Sequence, residues 1–263
     1  MVERYVQRPY VTREDIRRAD ELVKNYTSES GVTFVEMEGL AYGDYPPFST
    51  GFFLIKPSGY RESQVISNIG GLCVCGREIE EINSYIPGVK DALNEETDKI
   101  VILGNGTSNL PVDLARRFKE GNLRERPVIV DLFDYDKLLV DHYRLQSLFA
   151  AKGLPAPSVD QDLESLEGIV FAIKKGTITA VNYKVGSGDP PQNLKNASLI
   201  LNFFGPPSST LPEQLDLLKV GGKLFSQFPK EMIDEKARGV TGSFNSISTW
   251  KGGICATVTT REN

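Results

Sequence analysis

The run Ile100-Val101-Ile102-Leu103-Gly104-Asn105-Gly106-Thr107-Ser108-Asn109-Leu110-Pro111 decides how this chain is read. Four apolar residues without polar alternation are what a parallel strand buried on both faces requires. Two glycines follow, and the pattern then predicts a helix over residues 111–118. Glycines between a buried strand and a helix let the backbone pass close to a ligand, while the helix N-terminus offers unpaired N–H groups. The same two glycines also suit a tight strand-to-helix turn with no ligand. A nicotinamide fingerprint would place glycine at Asn109, a Walker loop would place Gly-Lys before Ser or Thr, and a nucleophile elbow would place glycine at Leu110. This turn has none of the three.

Working toward the C-terminus, strand and helix signals alternate. Residues 127–131 read as a second buried strand, 135–151 as a helix, 177–183 as a third strand and 197–204 as a fourth. Residues 168–173 are equally strand-like, so the third strand has two candidates. Residues 211–218 form a short helix, Gly221-Gly222 its stop, and 223–228 a fifth strand. At the end, 243–250 and 254–260 flank Lys251-Gly252-Gly253, which predicts an antiparallel hairpin closing an otherwise parallel sheet.

Working toward the N-terminus, the pattern changes. Thr12 is placed to cap a helix whose apolar stripe is Ile16, Ala19, Leu22 and Val23. Short β-rich runs at 32–37, 51–55 and 64–74 follow. We therefore divide the chain into an N-terminal α+β lobe, 1–95, and an α/β domain, 96–263. Within the lobe, Tyr42, Tyr45 and Phe48 lie in an aromatic, proline-bearing segment that suits either a lid over a substrate or packing of the lobe on the sheet.

Composition narrows the function classes. The chain has 263 residues, with 30 Lys+Arg against 35 Asp+Glu, a net charge of −5, and 40% hydrophobic residues. No global basic field draws it to nucleic acid, and an acidic surface favours a small-molecule or protein partner. No run approaches the ~18 apolar residues that span a bilayer, and the first residues lack the apolar region of a signal peptide. No membrane partner and a cytoplasmic location are the expectations. Three cysteines, Cys73, Cys75 and Cys255, form no disulfide framework and suit a reducing compartment. With a single histidine, His142, no multi-histidine metal site exists, and no metal is expected. His142 falls inside the predicted 135–151 helix and reads as a solvated residue of that helix rather than a base.

In the order and spacing of these segments, residues 97–263 resemble the class I S-adenosylmethionine-dependent methyltransferases. Gly104-Asn105-Gly106-Thr107-Ser108 is similar to that family's Gly-x-Gly-x-Gly turn with Ser in third place, and Leu110 to Ala115 continues as its first helix does. Asp131, closing Val128-Ile129-Val130, resembles the acidic residue that holds both ribose hydroxyls; a carboxylate can accept two hydrogen bonds. Asp131 also suits a helix cap. Gly188-Asp189 resembles the pair flanking adenine, with Asp160 or Asp162 as the neighbours if 168–173 is the third strand; Asp189 before Pro190 is equally a good turn residue. Leu217-Leu218-Lys219-Val220-Gly221-Gly222 resembles the entry to the fifth strand, and the terminal hairpin the reversed seventh strand. Two departures stand out: Ile102 replaces an acid two places before the first glycine, and Asn202-Phe203-Phe204-Gly205-Pro206-Pro207 is a scrambled form of a catalytic Asn-Pro-Pro-Tyr element.

The resemblance implies a Rossmann-like sheet, mostly parallel with a reversed C-terminal strand, and S-adenosyl-L-methionine as cofactor. The implied cofactor residues are Gly104, Asn105, Gly106, Thr107, Ser108, Asn109, Asp131, Leu132, Gly188, Asp189, Asn202 and Phe203. Tyr42, Tyr45 and Phe48 are the candidates for the acceptor pocket, and no catalytic residue is assigned, because displacement at a sulfonium methyl rests on positioning and exclusion of water. The expected activity is methyl transfer to a small molecule or protein. The alternative is a methyltransferase-like scaffold or regulator that transfers nothing; a nicotinamide oxidoreductase is disfavoured by Asn109 and the terminal hairpin.

Overall fold

The computed structural model describes residues 14, 17–18, 21–22, 25–30, 32–36, 53–57, 79–93, 97–106, 108–154, 160–203, 205–251 and 254–263. Toward the N-terminus, β1 (Val32–Glu36) and β2 (Phe53–Pro57) pair antiparallel, with Phe34 opposite Ile55. Thr12, Tyr42, Tyr45, Phe48, Cys73, Cys75 and the expected strand at 64–74 lie outside the described residues. Two short helices, α1 (Ile79–Tyr85) and α2 (Val89–Ala92), were not foreseen. Ile79, Ile82, Ile86, Val89 and Leu93 recur every three or four residues and are buried in the same core as the sheet. The Ile79 N–H donates to the Asp113 carboxylate at 3.1 Å, which anchors the start of α1.

From residue 100 onward the chain builds β3 (Ile100–Leu103), α3 (Leu110–Lys119), β4 (Val128–Asp131), α4 (Tyr135–Ala151), α5 (Asp160–Lys174), β5 (Thr179–Asn182), β6 (Ala197–Asn202), α6 (Leu211–Asp216), β7 (Leu218–Ser226), α7 (Lys230–Ala237), β8 (Phe244–Lys251) and β9 (Ile254–Arg261). Every residue of β3 and β4 is buried, as their unbroken apolar runs predict. Seven strands form one sheet in the order β5-β4-β3-β6-β7-β9-β8. Neighbours from β5 to β7 are parallel, and β9 runs antiparallel to both β7 and β8. The expected closing hairpin is therefore present, with Lys251 opposite Ile254.

Alternate side chains feed two cores. Ile100, Ile102, Ile129, Leu199 and Leu201 face the core under α3, α4 and α5, whereas Val101, Leu103, Val128, Val130 and Ile200 face the one under α6 and α7. The segment 168–173 is not a strand. It lies in α5, where Leu166, Ile169 and Val170 are buried at helical spacing while Phe171 points to solvent at 60% exposure. The third strand is thus Thr179–Asn182, and Asp160 and Asp162 stand at the start of α5. Gly221-Gly222 does not stop a helix. β7 already begins at Leu218 and runs through both glycines, and its pairing with β6 jumps from Ala197–Leu218 to Leu199–Lys223. Gly221 takes φ +78°, and a Cβ on Gly222 would stand 2.6 Å from the Ala197 carbonyl oxygen, so both glycines shape an irregular strand entry rather than a helix stop.

Nor is His142 a solvated helix residue. It is buried on the inner face of α4, along with Tyr135, Leu138, Leu145 and Phe149. Burial lowers its pKa to about 4, only partly opposed by the adjacent Asp141 charge. Asp141 next to it is buried and pins the segment before β1. Its carboxylate accepts from the Tyr26 hydroxyl at 2.7 Å, from the Glu29 and Ser30 N–H groups at 3.0 Å each, and from Ser30 Oγ at 2.6 Å.

Candidate functional site

The strand order reverses direction at β3: β4 and β5 lie on one side of it, β6 and β7 on the other. In open α/β sheets, ligands bind outside the carboxyl ends of the strands at such a point. The turn from Gly104 to Asn109 stands there, directly before α3. Gly104 and Gly106 take φ +63° and +58°, a region that disfavours side chains with a Cβ. Ser108 Oγ accepts the Leu110 N–H at 3.2 Å and secures the helix start, while Asn109, at the N-cap, makes no side-chain capping bond.

Asp131 ends β4 beside this turn, one residue beyond Val130, which pairs with Leu103 of β3. It does not cap α4; that role belongs to Asp134, which accepts the Lys137 N–H at 3.0 Å. The Asp131 carboxyl faces the glycine turn instead. It accepts the Asn105 N–H at 3.2 Å and is bonded by the Tyr135 hydroxyl, which also lies 3.0 Å from the Gly106 carbonyl oxygen. Burial raises the Asp131 pKa to about 7, against the lowering effect of the Tyr135 hydroxyl and the Gly106 and Asn105 N–H groups. The Tyr135 hydroxyl is driven well above its ordinary value, by burial first and by the Asp131 charge second.

Asn105 is also buried. Its Nδ2 donates to the Gly106 and Ser108 carbonyls at 3.1 Å each, whereas its Oδ1 meets no hydrogen-bond donor among the described residues. An acceptor left open beside a buried carboxyl and a turn of positive-φ glycines suits a ligand rich in hydroxyl and amine donors. That donor set fits the ribose end of S-adenosylmethionine.

The other expected residues are spread along the same edge. Leu132 follows Asp131 and is half-buried. Gly188 and Asp189 are exposed in the loop after β5, where the Gly188 N–H and the Tyr183 hydroxyl are both held by Glu213 of α6, at 3.2 and 2.9 Å. Asn202 and Phe203 are buried at the end of β6. The Asn202 amide is engaged internally: Nδ2 donates to Pro206 O at 3.2 Å and Gln214 Oε1 at 2.8 Å, and Oδ1 accepts the Gly205 N–H at 3.1 Å. Thr107 lies outside the described residues, as do the acceptor-pocket candidates. Tyr135 and Gly205 are the members that sequence reasoning missed.

Among the described residues no group of three His, Cys, Asp or Glu side chains could hold a metal, and no helix is long and apolar enough to cross a membrane. Cys255 is a buried free thiol.

No protein-family model and no curated protein sequence matches this chain. Among solved structures it is similar to a SAM-dependent O-methyltransferase from Thermotoga maritima, at 12% identity and TM-score 0.37 over 66% of this chain and 65% of that one. It thus spans just under two thirds of that protein. A methyltransferase from Pyrococcus furiosus gives 15% identity and TM-score 0.39 over 66% and 79% of the two chains. A protein of the NADB-Rossmann superfamily from Streptococcus agalactiae gives 9% and 0.39 over 70% and 67%. The chain's own strand order, with β9 reversed between β7 and β8, is the expected Rossmann-like sheet, mostly parallel with a reversed C-terminal strand.

Proposed function

We propose that this protein binds S-adenosylmethionine at the carboxyl ends of β3 and β4 and transfers its methyl group to a small-molecule or protein acceptor. The observation that carries the reading is the convergence of the Asp131 carboxyl with the backbone of Asn105 and Gly106, at the start of α3 and beside the point where strand order reverses. In this reading Asp131 holds the ribose hydroxyls, the turn from Gly104 to Asn109 with Leu132 surrounds the nucleoside, and the loop at Gly188-Asp189 and the end of β6 at Asn202-Phe203 border it. The lobe 1–95 supplies the acceptor pocket through Tyr42, Tyr45 and Phe48. Bound S-adenosylmethionine supplies a sulfonium methyl for in-line displacement. The chain's own part is to hold both partners in line and keep water out, which needs no obligatory base.

The test is calorimetry with S-adenosylhomocysteine, with melting followed in parallel, because a ligand that binds only the folded state raises the melting temperature by mass action. Asp131→Ala should weaken binding by about 1.5–3 kcal/mol, the range for hydrogen bonds to a charged group. No binding at millimolar ligand would remove the cofactor reading.

A second reading, a sheet of this type that transfers no methyl group, has a specific observation behind it. The Tyr135 hydroxyl already engages Asp131, and the Gly205 backbone lies directly on Leu103 and Gly104. Ligand binding without turnover against any acceptor class would favour it.

A further inference from the structure

We propose that the Tyr135 hydroxyl stands in for a ribose diol: it occupies the Asp131 carboxyl while no nucleoside is bound, and a nucleoside must displace it to bind. The proposal rests on the nucleoside reading of the site and adds a gate to it.

Three features support it. First, Tyr135 opens α4 four residues after Asp131 closes β4, and across that short connection its hydroxyl reaches back to the Asp131 carboxyl. Second, the hydroxyl meets two acceptors at once, Asp131 Oδ2 and the Gly106 carbonyl oxygen at 3.0 Å. A single phenolic hydrogen serves only one of them. When the carboxyl holds a proton, Asp131 donates to Tyr135 and Tyr135 donates to Gly106, and both acceptors are satisfied. A vicinal diol offers two hydrogens and would serve a carboxylate without that proton. Third, the ring is held edge-on against Phe133, with centroids 5.0 Å apart and planes at 62°, so the hydroxyl is positioned by packing and not by chance rotation. Tyr135 and Asp131 are both buried, and the knot they form with Asn105 leaves Asn105 Oδ1 as the acceptor not yet used.

The experiment measures affinity for adenosine, S-adenosylhomocysteine and 2′,3′-dideoxyadenosine by calorimetry, on the full chain and on Tyr135→Phe. It is run at about pH 9, above the Asp131 pKa of about 7 in the parent chain. Removing a hydrogen bond to a charged group that competes with the diol should tighten adenosine and S-adenosylhomocysteine by roughly tenfold. Dideoxyadenosine, which lacks both hydroxyls, should gain nothing. Tyr135→Met, another hydroxyl-free residue of similar length, should reproduce the gain and serves if the Phe variant does not fold. Unchanged or weaker adenosine binding in the variants would overturn the gate while leaving the nucleoside site intact. An equal gain for dideoxyadenosine would also overturn it, since the hydroxyl would then be blocking space and not mimicking a diol. If folded parent and variants all fail to bind at millimolar ligand, the nucleoside reading falls and the gate with it.

Discussion

Gly104 and Gly205 meet backbone to backbone across the ends of β3 and β6: a Cβ on Gly104 would stand 2.2 Å from the Gly205 Cα. The contact is reciprocal at the neighbouring residue, since a Cβ on Gly205 would stand 2.2 Å from the Leu103 carbonyl oxygen. Neither neighbour is a flexible side chain, so neither can yield without moving a turn.

Gly205→Ala should therefore cost about 3 kcal/mol, the upper part of the range for overpacking a tight site. Urea unfolding at neutral pH measures it. A loss under about 0.5 kcal/mol, the scale of a surface change, would mean that the two turns separate readily and that the crevice between β3 and β6 opens on its own.

Asp141 ties the segment before β1 to α4. Burial pushes its pKa up, but the bonds from Ser30 Oγ, the Glu29 N–H, Tyr26 and the Ser30 N–H outweigh this and hold it below the ordinary value. Asp141→Ala should destabilise the protein by about 3 kcal/mol, because two backbone N–H groups lose their acceptor. The direct readout is hydrogen exchange at Glu29 and Ser30, whose protection should fall by far more than that of β3 amides. Unchanged protection at those two amides would show that other groups hold the segment.

His142 and Asp131 bend the stability profile in opposite directions. For His142 the folded pKa is about 4 against an ordinary 6.5, so the unfolded chain takes up the proton first. Stability is lost as pH falls from about 6.5 toward 4, by on the order of 3 kcal/mol. For Asp131 the folded pKa is about 7 against an ordinary 3.8, so the folded chain holds the proton longer. Its contribution is complete below about 3.8 and lost as pH rises to 7, by on the order of 4 kcal/mol. His142→Gln should remove the acid-side loss, and Asp131→Asn the loss toward neutrality. The check is how the free-energy difference between variant and parent changes from pH 4 to 7; a constant difference would place the titration elsewhere.

Gly106→Val should abolish nucleoside binding, because φ +58° strains any β-branched residue and the Gly106 carbonyl is bonded to the Tyr135 hydroxyl beside Asp131. Retained affinity with an intact melt would make the turn purely structural.

Much of this molecule was legible in one dimension. Ile100 to Leu103 and Val128 to Val130 are apolar without alternation, and only a strand covered on both faces needs that, so β3 and β4 were readable from composition alone. The α4 boundaries and the closing hairpin were readable for the same reason: residue spacing and turn chemistry act over a few residues. The stripe Ile79, Ile82, Ile86, Val89, Leu93 carries an equally local signal, and α5 is obscured by the β-branched run Gly168 to Ile173. Helix or strand there depends on whether one face or two are buried.

What only the tertiary structure decided are relationships between segments far apart in the chain. That Asp131 turns toward Asn105, and not into a cap, follows from β4 lying beside β3 and from Asp134 taking the cap. That His142 is buried and neutral follows from the core closing over that face of α4, which no helical pattern containing Asp141 and His142 side by side reveals. That Gly205 must be glycine follows from a strand about a hundred residues earlier in sequence. Local sequence sets which backbone shapes are available at each stretch. Burial, and with it the protonation and partners of each buried polar group, is a property of the whole packed chain, because it depends on which distant surfaces exclude water.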